Sequence, residues 1–437
     1  MSAVEIGLWS FPVLLLIIFL RAPIGLAMLV CGIGGMWMVT GSPNIVLAKL
    51  KTETYSTFSS YSLSIVPIFL LMGYLAGIGG MSRALFKAAE AFLGHYRGGT
   101  AMAAVGACAG FGAICGSSLA TAATMAQVAL PELRRAGYAG GLSTATLAAG
   151  GTLGILIPPS VILVVYATLT EQNIAKLFLA AFIPGIIAAI GYVLVIALYV
   201  RLYPHTAGRQ PRMPYAERLR ALTAIWPVMV VFVAVVGGIY TGIFTPTEGA
   251  SVGALGTGVI AWASGELTWA KLWQALMSTA VATAMIFFIV LGAAFFNAFL
   301  ALTQVPQLIS TFVIEQGYGP WMVLTIILIL YLLLGCVMDS LSMILLTIPI
   351  FFPMMTSLDF GMSQEHMAIW FGILVLIVVE VGLITPPVGL NLFVINAMDR
   401  NTPIRETYQA VMFFVGTDIV RVAILAAFPS ITLFLLT

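Results

Sequence analysis

Two proline pairs lie inside runs that are apolar enough to cross a bilayer. Pro158-Pro159 follows a segment containing Gly151, Thr152 and Gly154, and Pro386-Pro387 follows a segment containing Gly382 and Thr385. Each proline removes a backbone donor, so a helix must break at these points. Broken backbone at membrane depth is tolerated only where protein or a water-lined cavity satisfies the freed groups. Two such breaks in corresponding positions of two halves predict the binding site of a secondary transporter.

A broken helix exposes partial charges of both signs. Its last carbonyls carry partial negative charge, and the first amides of the restarted helix carry partial positive charge. Pro158 and Pro386 are predicted at the first position of the restarted helices, where a missing donor costs nothing. Each break can therefore offer carbonyl oxygens to a small hard cation and amide donors to an anion. The hydroxyls of Thr152 and Thr385 lie beside these groups in the sequence.

Small polar residues interrupt two other long apolar runs. Ser117 and Ser118 follow Gly116 in one run, and Asp339 and Ser340 follow Met338 in the other. A polar tip packed against each break would complete a cage of oxygen atoms around a cation. The alternative is that the serines, together with Thr121, are small residues at a close helix–helix contact. By themselves these three residues favour the packing interpretation. Opposite a Gly-Gly-Thr…Pro-Pro break, they favour a binding site.

The lengths of these runs predict how the tips are positioned. Residues 100–130 would be over-long as one straight helix at about 1.5 Å per residue. A re-entrant hairpin with its tip at Gly116-Ser117-Ser118 fits the run better, and the same interpretation suits the pair of segments flanking Asp339. The sequence therefore predicts two hairpins and two broken helices.

Composition places the whole chain in the membrane class. Of 437 residues, 61% are hydrophobic and only 8% are charged, whereas soluble domains carry about 25% charged residues. The length leaves room for about a dozen membrane segments. A net charge of +2 with no basic tail argues against nucleic-acid binding. The cysteines and histidines lack metal spacing, so no transition-metal site is expected. Four tryptophans near segment ends are predicted interfacial anchors: Trp226, Trp262, Trp321 and Trp370.

Three landmarks recur in order along the chain. Pro23 and Pro246 are separated by 223 residues, Ser118 and Ser340 by 222, and the two proline pairs by 228. These similar offsets predict an internal duplication, and chance similarity among Gly- and Ala-rich segments is the alternative. The predicted first repeat is 1–205, the second is 221–437, and 206–220 connects them. The positive-inside rule predicts that the arginine-rich stretch 201–220 is cytoplasmic.

Ionisable residues within apolar segments each need an explanation. Glu248 follows Thr245-Pro246-Thr247 and is predicted to cap a helix N-terminus. Asp418 and Arg421 are three residues apart on one helix and are predicted to pair. Glu380 precedes the second break, where it could orient the break or bind a proton.

These motifs resemble those of a known family. The segments are Cys-Gly-Ser-Ser-Leu-Ala-Thr from Cys115, Gly-Gly-Thr-Leu-Gly-Ile-Leu-Ile-Pro-Pro-Ser ending at Ser160, Phe-Thr-Pro-Thr-Glu-Gly-Ala from Phe244, and Gly-Leu-Ile-Thr-Pro-Pro-Val-Gly-Leu-Asn from Gly382. They resemble the large membrane subunit of TRAP (tripartite ATP-independent periplasmic) transporters, and the similarity covers roughly residues 21–429.

The resemblance implies an all-α polytopic protein of the bacterial inner membrane, with inverted repeats and an elevator-type architecture. It implies sodium-coupled import of an organic acid anion, such as a C4-dicarboxylate or sialic acid. It also implies two protein partners, a small membrane subunit and a periplasmic substrate-binding protein. Because the chain starts almost at its first apolar segment, the small subunit is expected to be a separate polypeptide.

The site residues that the resemblance implies lie at the tips and the breaks. Co-transported sodium ions are expected at Ser117, Ser118, Gly151, Thr152, Gly154, Pro158, Asp339, Ser340, Gly382, Thr385 and Pro386. The organic acid is expected at Ser118, Thr121, Ser160, Ser342 and Asn391.

Two other functions are alternatives to this one. A stand-alone sodium–dicarboxylate symporter would have a similar hairpin-and-break architecture but would need no binding protein. An intramembrane enzyme would need a nucleophile–base pair or metal ligands within the membrane. The sequence shows no His or Cys cluster that could supply them, so we do not expect an enzyme.

Overall fold

The computed structural model describes residues 2–436, except for the side chains of Ser310 and Ile314. The outermost residues of the two predicted repeats, 1 and 437, therefore lie outside the described residues. The described chain folds into helices joined by short connections: α1 (Ala3–Phe19), α2 (Ile24–Thr40), α3 (Pro43–Phe58), α4 (Ile65–Ile78), α5 (Met81–Leu93), α6 (Gly99–Cys115), α7 (Ser118–Arg135), α8 (Gly140–Leu156), α9 (Val161–Thr170), α10 (Ile174–Leu202), α11 (Tyr215–Thr223), α12 (Trp226–Phe232), α13 (Gly238–Tyr240), α14 (Pro246–Ala263), α15 (Trp269–Thr303), α16 (Val305–Glu315), α17 (Pro320–Gly335), α18 (Ser340–Thr356), α19 (Gln364–Gly382), α20 (Leu390–Met398), α21 (Ile404–Ala427) and α22 (Pro429–Leu433).

Several helices are long and apolar enough to cross a membrane. By length and composition these are α10, α15, α19 and α21, and three bent helix pairs raise the number of candidate spans to seven in the described part of the chain. Five shorter apolar helices accompany them, among them α6, α17 and α18. The prediction of an all-α polytopic membrane fold is confirmed.

The over-long run at residues 100–130 is a helical hairpin, as predicted. Only Gly116 and Ser117 separate α6 from α7. The outer ends of the two arms meet, because the amide of Thr100 donates to the hydroxyl of Tyr138 at 3.1 Å. In the second hairpin, the arms α17 and α18 are linked by the hydroxyls of Tyr331 and Thr347, which lie 2.6 Å apart.

Both proline pairs break a helix, as predicted, but the restart position was predicted wrongly. The axis bends by 44° between α8 and α9, and both Pro-Pro bonds are cis. Neither Pro158 nor Pro386 is the first residue of a restarted helix, since the N-caps of α9 and α20 are Ser160 and Gly389. The physical reason is that a residue before a proline is disfavoured in the helical region. Each first proline precedes another proline, so the helix restarts only after the pair.

The structure also tests the predicted cap at Glu248 and the predicted anchor Trp370. Thr245 and Glu248 form the predicted cap of α14, with the Thr245 amide donating to Glu248 Oε2 at 2.8 Å. Trp370 was wrongly predicted to be an interfacial anchor, since it is fully buried and its Nε1 donates to the Leu425 carbonyl at 2.9 Å. The C-terminal helix α21 covers this indole, which the position of Trp370 near a segment end does not reveal.

Two groups of helices pack especially closely within one continuous core, in which α15 also contacts α18. One contains α2 and α15, whose long contact buries Phe295, Phe296 and Phe299 completely. The other contains both hairpins and both broken helices; α8 lies near its centre and contacts α6, α7, α20 and α21. This second group positions the candidate site.

Candidate functional site at the hairpin tips and helix breaks

The first hairpin tip lies against the first helix break. Gly116 has a φ of +64°, and a β-carbon there would lie 3.0 Å from the carbonyl oxygen of Pro159. The hydroxyl of Ser117 caps α7 by accepting the Ala120 amide at 3.5 Å. A β-carbon at Gly154 would lie 2.9 Å from the Ser117 carbonyl oxygen and 2.4 Å from Thr121 Oγ1. The fold therefore brings Ser117, Thr121 and Gly154 together, as the sequence predicts.

Gly151 belongs to the same cluster. A β-carbon at Gly151 would lie 3.1 Å from the carbonyl oxygen of Ser118. The hydroxyl of Thr121 is fully buried and has no hydrogen-bond partner. A buried polar atom without a partner is unusual in native proteins and needs an explanation. A bound polar ligand or cation at this junction would supply one.

The second tip meets the second break in a similar way. The Gly389 amide donates to the Cys336 carbonyl at 3.1 Å, which ties the end of the break to the tip. Asp339 is the N-cap of α18, and its carboxylate accepts the Ser342 amide at 3.1 Å and the Ser342 hydroxyl at 2.6 Å. Local hydrogen bonding thus holds Asp339 at the tip, where an anionic side chain also stabilises the helix N-terminus.

Glu380 links the two hairpin tips. The side chain is fully buried on α19, and its Oε1 accepts the hydroxyl of Ser340 from the second tip at 2.7 Å. Ser118 of the first tip approaches the same carboxylate, while Oε2 has no hydrogen-bond partner. This carboxyl group therefore binds the second tip and lies close to the first.

Asn391 links the two broken helices. Its Nδ2 donates to the Ala148 carbonyl of α8 at 3.3 Å, and its backbone amide donates to the Leu383 carbonyl at 3.1 Å. Asn391 is fully buried, and its Oδ1 has no hydrogen-bond partner. Like the Thr121 hydroxyl, this oxygen is an acceptor available to a ligand.

Three predicted site hydroxyls are engaged elsewhere. Ser160 caps α9 by accepting the Leu163 amide at 3.4 Å, and Thr385 donates to the Val381 carbonyl at 2.6 Å. Thr152 Oγ1 lies 3.0 Å from the Tyr192 hydroxyl rather than at the hairpin tip. Pro158, Gly382 and Pro386 present only backbone carbonyls to the two breaks. The roles of all these residues as ligands stay predictions.

The chain matches one protein family over nearly its whole length. Residues 11–431 match the family described as "Tripartite ATP-independent periplasmic transporter, DctM component". The chain belongs to the DctM family. The resemblance in the motifs is thereby confirmed.

Two relatives give the same assignment, and one solved structure has a similar fold. The C4-dicarboxylate TRAP transporter large permease protein DctM of Pseudomonas aeruginosa is 36% identical over 402 residues, covering 92% of each chain. The isethionate TRAP transporter permease protein DctMQ of Oleidesulfovibrio alaskensis is 28% identical over 98% of this chain and 65% of its own. Among solved structures, the Alcanivorax borkumensis YdaH transporter has a similar fold, with a TM-score of 0.63, 14% identity and coverage of 90% of both chains. This DctM family member is therefore a transporter component, not an enzyme, and a multi-pass protein of the bacterial inner membrane.

A buried polar chain behind the first break was only partly foreseen for this DctM family member. The predicted pair of Asp418 and Arg421 is confirmed, with Arg421 Nη2 2.9 Å from Asp418 Oδ1. The Tyr192 hydroxyl donates to Asp418 Oδ2 at 2.7 Å and also contacts Thr152. The ion pair is thus connected to the break through Tyr192. No signal in the sequence singles out that tyrosine, since it is one aromatic residue in an apolar helix.

Proposed function

We propose that this chain is the transport subunit that carries an organic acid anion across the inner membrane together with sodium ions. The observation that supports this most directly is the closure of two polar hairpin tips on two helix breaks, with Glu380 bound to the second tip and close to the first. The DctM family and the C4-dicarboxylate transporter relative support transport of an organic acid. The proposed substrates remain carboxylates such as a C4-dicarboxylate or sialic acid.

The oxygen atoms at the tips and breaks suit sodium, a hard cation that prefers oxygen ligands. At the first break, the carbonyl oxygens of Ser117 and Ser118 lie beside Gly154 and Gly151, next to the unpartnered Thr121 hydroxyl. At the second, the Asp339 carboxylate adds a formal negative charge. We propose one sodium site at each break, formed with the carbonyl ends of α8 and α19.

The packing supports an elevator mechanism. Hairpins and broken helices share one packed group, whereas α2 packs along α15 in the other. We propose that the first group moves across the membrane as a block while α2 and α15 remain fixed. Alternating access by rigid-body movement of one bundle is common among transporters with broken helices.

We propose that two further proteins complete the system. The relative from P. aeruginosa is named a large permease protein, which supports a small membrane subunit as its counterpart, and we propose that this subunit is a separate polypeptide. The fused relative DctMQ is longer, since this chain covers only 65% of it. A periplasmic substrate-binding protein would deliver the organic acid.

Reconstituted uptake tests this proposal. The purified chain is placed in proteoliposomes with and without the small subunit and the binding protein, and uptake of a panel of organic acids is titrated with sodium. Replacing Asp339 by Ala should shift the sodium dependence to higher concentration, because a charged oxygen ligand is lost. Asp359→Ala is a matched control, since that exposed carboxylate only accepts the Gly361 amide.

Two results would contradict the proposal. An unchanged sodium curve for Asp339→Ala would exclude the proposed role of that carboxylate. Strong sodium-driven uptake by this chain alone would show instead a stand-alone sodium–dicarboxylate symporter, which needs no binding protein.

A further inference from the structure

The connection between α10 and α12 concentrates positive charge. Residues 201–220 contain five of the 18 basic residues of the chain and only one of its 16 acidic residues. Six ion pairs occur among the described residues, and no arginine of this connection belongs to any of them. The cluster consists of Arg201, Arg209, Arg212, Arg218 and Arg220.

Two of these arginines flank one aromatic ring. The guanidinium carbons of Arg212 and Arg218 lie 5.7 Å and 5.3 Å from the ring centre of Tyr215. Arg212 also donates to the Tyr215 hydroxyl at 3.1 Å. Arg218 is only 6% exposed, and its Nε donates to the Met213 carbonyl at 3.0 Å. Its Nη2 is buried and has no hydrogen-bond partner.

The imidazole of His95, from a different part of the chain, lies near the guanidinium groups of Arg212 and Arg218. The amide of Gln210 donates to the Gly94 carbonyl at 3.1 Å, which holds the connection against the turn that contains His95. Nδ1 of His95 is buried and unpartnered. Burial and the nearby charges of Arg218 and Arg212 lower the pKa of His95, and the nearby Phe92 carbonyl opposes this shift. The three side chains therefore share one electropositive environment.

No carboxylate neutralises this environment in the described residues. Glu90 on α5 interacts electrostatically with Glu132 and Lys87, and Glu217, the acidic residue of α11, belongs to none of the ion pairs among the described residues. An isolated buried guanidinium nitrogen without a partner is costly. An anion bound between His95, Arg212 and Arg218 would satisfy it, and arginine forks match the geometry of phosphate oxygens.

The surroundings indicate that this anion belongs to a lipid. Helix α11 presents large exposed side chains beside the arginines: Tyr215 is 71% exposed, Leu219 61%, Leu222 47%, and Trp226 just beyond the helix is 63% exposed. A free anion in water would not require these apolar groups. Helices that combine basic and apolar side chains lie in the membrane interface, and juxtamembrane arginines attract the anionic cytoplasmic leaflet.

We propose that His95, Arg212 and Arg218 bind the phosphate of an anionic phospholipid, with α11 lying on the cytoplasmic membrane surface. The lipid head group then serves as the missing counter-ion of Arg218, and the exposed side chains of Leu219 and Leu222 contact its acyl region. This site anchors the connection between the two halves of the chain, and it is separate from the hairpin tips and the breaks.

Native mass spectrometry of the full purified chain tests this site. The detergent-solubilised protein is titrated with phosphatidylglycerol or phosphatidylcholine, and the bound lipid is counted. The chain should retain phosphatidylglycerol in preference to phosphatidylcholine. Replacing Arg212 by Gln should weaken phosphatidylglycerol binding about fivefold, the effect of one basic residue near an anionic surface. Because Arg212 is exposed, this variant is expected to fold.

A matched control and a competitor separate this site from general charge attraction. Arg135→Gln removes the same charge, but Arg135 is already paired with Glu132 at 2.9 Å, so phosphatidylglycerol binding should not change. Excess inorganic phosphate should not displace the lipid. Equal retention of the two lipids, equal loss in Arg212→Gln and Arg135→Gln, or displacement by inorganic phosphate would each overturn the proposal.

Discussion

The contact between Gly335 and Gly382 provides a sharp test of the packing at the second tip. A β-carbon at Gly382 would lie 2.5 Å from Gly335 Cα and 2.6 Å from the Gly335 carbonyl carbon. Both obstacles are backbone atoms, so no side-chain rotation relieves the clash. Gly382→Ala must therefore force the end of α19 and the end of α17 about 1 Å apart, because close-packed interiors hold no spare space.

Overpacking of this kind costs about 1–3 kcal/mol. The ratio of folded to unfolded protein should fall roughly five- to 150-fold, and the melting temperature should fall accordingly. The assay is thermal unfolding in detergent with a thiol-reactive dye, because all four cysteines are free and buried in the folded chain. They become reactive only as the helices separate.

Gly106→Ala is the control for this experiment. Gly106 lies within α6, and a β-carbon there meets nothing within 4 Å. Alanine should be neutral or slightly stabilising at that position, since it is favoured over glycine by up to about 1 kcal/mol in a helix. If Gly382→Ala melts at the same temperature as Gly106→Ala, the close approach of α17 and α19 is wrong.

Two further predictions concern the buried carboxylates. Glu380→Ala should destabilise the chain by about 1–3 kcal/mol, because the buried Ser340 hydroxyl loses its acceptor. Glu380→Gln, which keeps an oxygen there, should melt close to the wild type, and equal losses in both variants would exclude the hydrogen bond. Tyr192→Phe should also cost about 1–3 kcal/mol by leaving an Asp418 oxygen without a donor. In the double variant Tyr192→Phe with Asp418→Asn, the loss of unfolding free energy should be smaller than the sum of the two single losses by at least about 0.5 kcal/mol. Strict additivity would contradict the contact.

The sequence was sufficient to predict those features that follow from chain length and backbone chemistry. The hairpin of α6 and α7 was predicted from a long apolar run together with its polar interruption at Gly116-Ser117-Ser118. Length alone is not sufficient, since α15 is one continuous helix of 35 residues. The missing donors of consecutive prolines predicted the breaks after α8 and α19. Both signals lie within a single continuous segment, so they need no knowledge of neighbouring helices.

Other features depend on partners that are distant in sequence. The Thr152 hydroxyl is adjacent to the break in sequence, but it donates to the Ala149 carbonyl at 2.7 Å or bonds Tyr192, which lies 40 residues away. Glu380 lies close to both tips because three separate segments converge on it. Trp370 is buried against α21, where its hydrogen-bond partner Leu425 follows it by 55 residues. Hydropathy records how apolar a segment is, and it does not record which segment will cover it.

Two side-chain contacts join α7 and α8 to the C-terminal part of the chain, and they have a consequence for biosynthesis. Thr144 and Thr407 share a hydrogen bond across 263 residues, and Arg134 pairs with the buried Asp399 across 265. At about 5–20 residues per second, the ribosome needs roughly 13–50 seconds to make that intervening chain. During this interval the first hairpin and the first broken helix reside in the bilayer without their final partners. The contacts that complete the packing of the first hairpin and the first broken helix can therefore form only after the C-terminal helices have been made.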